Sequence, residues 1–328
     1  MISQHVDTED IYITRTIEQS DQSLDEIIEK KYPLVLCGGG DGTAMRIIEQ
    51  MRLKVEAKNR GGGDYAFPRF GLLKLGTGNG WAGLLNVPSK VKPIWALRQL
   101  REHELVFSNF NMIELFAVTR QAGEGAESRL FHFGGLGVDA LILNDYIDFK
   151  SPYTEGFMWK LGNSLAGYLI ALFFKSIPKV LFQKFNINIR AINQSDAPVY
   201  KVSRSKGIEE IAVKKGETLY EGPSLIAGFG TTTNYGFNLK VFPYAREKRG
   251  YMNLRFADVT VPRALANLRN IWVGTWEYRG LYDFLVQDVR IECEQDAPFQ
   301  LGGDPEGYRR EVNLRVSDFT VDVMDFRR

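Results

Sequence analysis

Two glycine-rich loops contain the residue types that bind phosphate. The first reads LVLCGGGDGT and the second FGLLKLGTGNG, and each begins with a short apolar run. An apolar strand, a tight glycine turn and a helix start bring backbone N–H groups together where the helix dipole favours negative charge. Two such loops at the carboxyl ends of neighbouring strands can hold one triphosphate from two sides.

The polar residues of the loops indicate a metal beside the phosphates. Asp41 lies among glycines at 38, 39, 40 and 42, and a carboxylate suits a phosphate-bound Mg²⁺ better than the phosphate itself. Thr43 offers a hydroxyl at the first helical turn, and Thr77 and Asn79 lie between the glycines of the second loop. The loops have neither the Walker A nor the G-x-G-x-x-G order. A sharp turn without a ligand is the alternative for the first loop taken alone.

The elements around the loops predict an α/β domain followed by a strand-rich one. DIYITRTIEQ alternates as a strand does, SLDEIIEKK is typical of a helix opened by Ser23, and YPLVLC is typical of a buried parallel strand. Beyond residue 107 the sequence turns into short alternating runs separated by turns. The first domain is predicted over 1–107 and the second over 108–314, with a helical insertion at about 156–185. The strand at about 315–326 closes on one domain or the other.

The composition is that of a globular protein with no strong electrostatic preference. Of its 328 residues 44% are apolar, and 41 basic residues face 40 acidic ones, so no global field attracts nucleic acid. Two cysteines are too few for a disulfide framework, and the longest apolar run, Leu165 to Phe174, is about half of the roughly 20 residues that a membrane-spanning helix needs. We predict a cytoplasmic protein without a transmembrane segment, for which peripheral membrane contact and a homodimer stay open.

The two loops together resemble the catalytic domain of the diacylglycerol kinase family of lipid kinases, which includes bacterial soluble lipid kinases and sphingosine and ceramide kinases. The matching residues are GGDGT at 39–43 and LGTGN at 75–79. Later segments resemble further family motifs in the right order: FGGLGVDA at 133–140 the glycine-aspartate motif, 235–256 the segment before an acidic turn, and FQLGGDPEG at 299–307 the Asp-Gly-Glu turn.

This resemblance covers about residues 11–326 and implies a fold, two cofactors and a set of site residues. The fold is an α/β nucleotide-binding domain, related to that of NAD kinases, followed by a β-sandwich lipid-binding domain. The cofactors are ATP and Mg²⁺, and the partner is a lipid substrate at a membrane surface. The implied residues are Asp304 and Glu306 for catalysis, Asp139 for the lipid head group, and Gly39, Gly40, Asp41, Gly42, Thr43, Gly76, Thr77, Gly78 and Asn79 for ATP, with Asp41 contacting Mg²⁺ through ATP.

The catalytic assignment also has a chemical basis. Phosphoryl transfer needs positioning, charge neutralisation and a carboxylate that orients the attacking hydroxyl and accepts its proton. Asp304 and Glu306 suit this role either on a turn or on one face of a strand. An acidic surface turn is the alternative.

Four departures from the family pattern keep other functions open. The Asn-Pro-x-Ser/Gly loop is not visible, Met45 and Arg46 replace polar residues, Arg249 stands where the bacterial branch has an aspartate of a structural Mg²⁺ site, and Pro305 replaces a glycine. We therefore predict that this structural metal site is absent. The predicted function is phosphorylation of diacylglycerol or a related lipid. The alternatives are a ceramide or sphingoid-base kinase, an NAD kinase, and a catalytically impaired lipid- or nucleotide-binding regulator.

Two further features have open interpretations. The insertion at 156–185 has the apolar, aromatic and lysine content of an interfacial helix. The favoured interpretation for most of its length is a helix packed on the sheet of the second domain, with aromatic and lysine residues at its ends able to touch a membrane. His132 lies on an alternating strand and is predicted to be a sheet residue rather than a ligand.

Overall fold

The structure is a computed structural model that describes residues 6–76, 78–89, 94, 105–116, 129–152, 156–162, 164–182 and 187–327. The chain divides into two compact units. Unit 1 comprises 1–110 and 320–328, and unit 2 comprises 111–319.

The helices and strands are numbered along the chain. The helices are α1 (Ile17–Glu29), α2 (Asp41–Arg60), α3 (Gly80–Leu84), α4 (Val138–Lys150), α5 (Gly156–Gly162), α6 (Leu165–Ala171), α7 (Ile177–Phe182), α8 (Val261–Ala266) and α9 (Leu268–Val273). The strands are β1 (Leu34–Gly39), β2 (Arg69–Lys74), β3 (Phe107–Phe116), β4 (Arg129–Phe131), β5 (Phe133–Gly137), β6 (Ile187–Asn193), β7 (Val199–Ser203), β8 (Gly207–Ile211), β9 (Thr218–Ser224), β10 (Ile226–Gly230), β11 (Met252–Ala257), β12 (Leu281–Val286), β13 (Asp288–Leu301) and β14 (Asp304–Met324).

Unit 1 is built on parallel strands. β1 pairs with β2 in the register Leu34↔Arg69 to Gly39↔Lys74, and β2 pairs with the end of β14 at Phe70↔Val323. Strand β14 begins in unit 2, and its last residues belong to unit 1. The helix α2 packs against both β1 and α1. The fully buried side chains of unit 1 include Ile48 and Met51 of α2, Phe70 of β2, Trp81 of α3, and Leu85.

The start of α1 corrects a prediction from the sequence. The stretch DIYITRTIEQ contains no strand, and α1 begins at Ile17 rather than near Ser23. Thr16 is the N-cap, and its hydroxyl accepts a hydrogen bond from the backbone N–H of Gln19 at 3.2 Å. The Gln19 side chain in turn accepts from the backbone N–H of Arg15 at 2.8 Å. These reciprocal bonds resemble a capping box, which satisfies N–H groups at a helix start and here outweighs the alternating apolar pattern.

Unit 2 is dominated by antiparallel strands, as the short alternating runs predict. Its sheet runs in the order β13-β5-β10-β11-β12-β7-β8. Strand β13 changes partner along its length, since residues 289–293 pair with β6 and residues 299–301 pair with β5. A register shift against β14, between Glu292 and Ala297, separates the two halves. The strand can therefore join two groups of strands, because a bulge bends it and increases its twist.

The helical insertion packs on another helix. Helix α6 and the π-helical turn Leu172–Ser176 contact α4, which itself packs on β5 and β13. Ala171, Leu172 and Val180 are buried, and Lys175 and Lys179 each form an ion pair with Asp145, at 3.7 and 3.5 Å. No helix within the described ranges is long and apolar enough to cross a bilayer.

Candidate active site

Both glycine loops leave the same edge of the unit 1 sheet. Because β1 and β2 are parallel and Gly39 lies opposite Lys74, the chain leaves both strands at the same level. Helix α2 begins at Asp41 after the first strand, and α3 begins at Gly80 after the second. The structure thus brings together the two segments that the sequence predicts to bind phosphate.

The two loops are in direct backbone contact. The N–H of Gly76 donates to the carbonyl oxygen of Gly39 at 2.9 Å. A Cβ atom on Gly76 would lie 2.2 Å from the Cα of Gly40 and 2.5 Å from its nitrogen. Only glycine permits so close an approach of two backbones. The glycines therefore have a steric reason that is independent of any ligand.

Asn79 shapes the second loop. Its backbone is left-handed, with φ 47° and ψ 42°, a conformation that asparagine tolerates better than most residues. Its side-chain oxygen accepts from the N–H of Gly76 at 3.2 Å, and its amide nitrogen donates to the carbonyl oxygen of the same residue. The loop is thus closed on itself just before α3 begins.

Asp41 joins the first loop to the start of α3. Its Oδ2 atom accepts a hydrogen bond from the N–H of Gly80 at 2.7 Å, and its Oδ1 atom accepts from the N–H of Trp81 at 3.1 Å. These are N–H groups of the first helical turn, which lack partners within the helix. From the sequence alone, only a nearby metal explains this carboxylate. The structure gives it a positioning role, and the Mg²⁺ contact stays a prediction.

The residues after the first loop belong to two environments. Thr43 is exposed at the first turn of α2, and its side chain packs over Gly39, where an added Cβ would lie 2.7 Å from the Cβ of Thr43. Met45 is buried in the core of unit 1, whereas Arg46 is exposed. The apolar residue that departs from the family pattern is thus a core residue.

Thr77, which is predicted to bind ATP from the second loop, lies outside the described residues.

In unit 2 Asp139 lies in a buried polar network. It follows Gly137, whose φ of 110° turns the chain from β5 into α4. Its Oδ2 atom accepts from the hydroxyl of Tyr235 at 2.7 Å and from Nε2 of Gln300 at 3.2 Å. A Cβ on Gly135 would lie 2.1 Å from that oxygen, so only glycine leaves room for the carboxylate. Burial raises the pKa of Asp139, and the two hydrogen bonds oppose the rise.

The network continues to the turn before Asp304. The Oε1 atom of Gln300 accepts from the N–H of Gly303 at 3.0 Å. Gly302 and Gly303 have φ values of 59° and 90°, as a two-residue type I′ hairpin requires, and they connect Leu301 to Asp304. Gln300 and Tyr235 are not among the site residues predicted from the sequence. A glutamine between apolar residues in PFQLGG was the available signal, because a polar side chain at a buried strand position needs a partner.

Asp304 and Glu306 lie on a strand rather than in the turn. They are the first and third residues of β14, so their side chains leave the same face. Asp304 is exposed and acts electrostatically on Lys150. Burial lowers the pKa of Lys150, and the Asp304 carboxylate partly opposes this fall. Glu306 forms an ion pair with Nη1 of Arg129 at 3.3 Å.

The predicted site residues thus form two groups. The loop residues lie in unit 1, whereas Asp139, Asp304 and Glu306 lie in unit 2. Arg249 is exposed in the turn before β11. Within the part of the chain that the structure describes, no group of three His, Cys, Asp or Glu side chains is placed to hold a metal ion.

Solved structures of other proteins have a similar fold. A diacylglycerol kinase from Bacillus anthracis str. Sterne superposes with a TM-score of 0.54 at 13% identity, over 95% of this chain and 83% of its own. A candidate diacylglycerol kinase from the same strain gives a TM-score of 0.58 at 16% identity, over 95% and 84%. The chain therefore has the two-domain fold of these proteins, as the sequence predicts.

The sequence of the first unit is similar to a known catalytic domain. Residues 2–109 match the model of the diacylglycerol kinase catalytic domain. The matched segment includes both glycine loops, so the resemblance seen in them is confirmed. No curated protein matches the chain.

Proposed function

We propose that this protein is an ATP- and Mg²⁺-dependent lipid kinase that transfers the γ-phosphate of ATP to a hydroxyl of diacylglycerol or a related lipid. One observation carries the proposal. Two glycine loops touch at the ends of parallel strands, inside a segment that matches a diacylglycerol kinase catalytic domain. Ceramide and sphingoid bases are the rival acceptors.

The first loop offers groups that fit a nucleotide and its metal. The tight contact between Gly40 and Gly76 leaves backbone rather than side chains at this edge, which favours close approach of phosphate oxygens. The exposed hydroxyl of Thr43 adds a donor. The Oδ2 and Oδ1 atoms of Asp41 accept the N–H groups of Gly80 and Trp81, which hold the carboxylate beside the loops, and a carboxylate suits a phosphate-bound Mg²⁺. Bound Mg²⁺ would neutralise charge on the phosphates.

Asp304 is proposed as the base that accepts the proton of the lipid hydroxyl. It is exposed, and Lys150 acts on it as a cation. Glu306, held by Arg129, would orient the acceptor from the same strand face. Asp139 is proposed to contact the lipid head group. Through its hydrogen bond with Gln300, which in turn accepts from Gly303, it would also hold the turn that precedes Asp304.

A labelled-ATP assay tests the proposal. The acceptors are diacylglycerol, ceramide, sphingosine, phosphatidylglycerol and NAD. We expect phosphorylation of a lipid, and a loss of turnover of about 10²- to 10⁴-fold in Asp304→Asn with normal ATP binding, because that is what a general base contributes. Asp318→Asn, an exposed carboxylate on the same strand, is the matched control and should retain activity.

Other results would redirect or reject the proposal. Labelling of NAD alone would make the protein an NAD kinase. Intact ATP binding without labelling of any acceptor would favour a catalytically impaired regulator. Normal turnover in Asp304→Asn would exclude this residue as the base.

A further inference from the structure

Helices α8 and α9 are rich in apolar residues that are only partly buried. All their residues are described, and none of them is buried. A surface helix of a globular protein normally buries an apolar stripe against the core. Here Val273 is 48% exposed, and the remaining apolar side chains are partly exposed. Those residues are Val261, Ala264, Leu265, Ala266, Leu268, Ile271 and Trp272.

A second exposed apolar group lies next to this pair of helices. Helix α7 packs against α8. The π-helical turn immediately before α7 presents Phe173, 46% exposed, and Phe174, 82% exposed. Since Phe174 is three residues from the start of α7, it is separated from that helix by about one helical turn, roughly 5 Å along the axis. The two phenylalanines and the pair α8–α9 therefore belong to neighbouring parts of unit 2.

The two helices themselves contain basic residues but no acidic ones. From Val259 to Trp276 the sequence has two arginines, Arg263 and Arg269, and no acidic residue. Arg269 is exposed. The acidic residues that flank the segment, Asp258 and Glu277, are also exposed, and Glu277 accepts hydrogen bonds from the N–H and the hydroxyl of Ser205. Net positive charge with few acids is complementary to an anionic lipid surface.

Aromatic residues flank the same region. The rings of Trp276 and Tyr278 stack with centroids 6.0 Å apart, and the guanidinium of Arg263 lies 4.7 Å from the Tyr278 ring. Tryptophan, tyrosine and arginine beside exposed aliphatic residues are typical of elements that lie in the headgroup region of a bilayer. A protein partner would use apolar contact too, but it does not explain the cationic and aromatic border as directly.

We propose that Phe173, Phe174 and the α8–α9 pair form one surface that inserts into the headgroup region of an anionic bilayer. Its use as the route to a membrane-embedded acceptor rests on the lipid-kinase function proposed above. The lysines of the insertion contribute less to this surface, because Lys175 and Lys179 are already paired with Asp145.

Vesicle co-sedimentation of the full chain, without ATP or acceptor, tests the surface. We compare phosphatidylcholine vesicles with and without phosphatidylglycerol. The wild type should bind the anionic vesicles more tightly. The double variant Phe174→Ser, Val273→Ser should bind at least about tenfold more weakly, since each loses several buried CH₂ equivalents. Arg269→Ala should lose about fivefold on anionic vesicles only, the effect of one cation near the surface.

A matched control separates this surface from general surface apolarity. Ile208 on β8 is 45% exposed in the same unit, and Ile208→Ser should bind vesicles as the wild type does. All these side chains are exposed, so thermal unfolding should be unchanged. Activity on a short-chain, dispersed diacylglycerol should also be retained in every variant.

Failure of the membrane surface and failure of the kinase function would give different results. Absence of vesicle binding by the wild type, or equal binding by the double variant and Ile208→Ser, would overturn the surface. Vesicle binding that depends on Phe174 and Val273, together with no phosphorylation of any lipid, would support the surface and reject the kinase.

Discussion

Replacement of Asp41 by alanine should destabilise unit 1 even when no metal or nucleotide is present. The carboxylate accepts hydrogen bonds from the N–H groups of Gly80 and Trp81, two buried residues at the start of α3. A buried N–H left without a partner costs about 1–3 kcal/mol. Two of them give a loss of about 2–6 kcal/mol in the free energy of unfolding for Asp41→Ala. Asp41→Asn keeps one acceptor oxygen and should lose about half as much.

The assay is urea denaturation followed by tryptophan fluorescence, with EDTA and then with Mg²⁺ and ATP. Trp81 is fully buried, so its emission should report the opening of this region. Asp64→Ala, which removes an exposed carboxylate from the same unit, should leave the midpoint unchanged. A positioning role for Asp41 is excluded if Asp41→Ala unfolds at the wild-type urea concentration in EDTA and unfolds at a lower concentration than the wild type only when Mg²⁺ and ATP are present. That result would assign the carboxylate to the metal alone.

Two further predictions concern the loops and the pH dependence of stability. Gly76→Ala places a Cβ 2.2 Å from the backbone of Gly40, so it should separate the loops and weaken ATP binding at least tenfold in calorimetry. In the control Gly61→Ala, the nearest neighbouring atom would be 3.3 Å from the new Cβ, and ATP binding should be normal. Burial lowers the pKa of His132 from its ordinary value of 6.5 to about 3. Below about pH 6.5 the histidine is therefore protonated in the unfolded chain but not in the folded one, and stability falls as the pH drops. His132 should lower the free energy of unfolding by about 1.4 kcal/mol per pH unit in this range. The urea midpoint, measured at pH 7, 6 and 5, should therefore depend less on pH in His132→Phe than in the wild type. Equal pH dependence in both proteins would show that His132 does not cause the loss.

Local patterns were sufficient to predict the strands that carry the loops. YPLVLC and FGLLKL became β1 and β2 because a compact apolar run followed by glycines specifies both the strand and its end within a few residues. The same kind of local evidence failed at α1. There the alternation of Ile11, Ile13 and Ile17 indicated a strand, but the capping residues Thr16 and Gln19 determined a helix.

The sequence by itself determined that glycine loops, a carboxylate beside them and a later pair of carboxylates are present in the order of a kinase family. Only the tertiary structure decided what these groups contact. Asp41 binds N–H groups 39 and 40 residues away, and Asp139 binds Tyr235 and Gln300 at separations of 96 and 161 residues. Hydrogen bonds over such separations leave no periodicity in the chain, because they depend on how strands and helices pack rather than on their neighbours in sequence. For that reason the carboxylate that the sequence assigned to a metal proved also to hold the second loop in place.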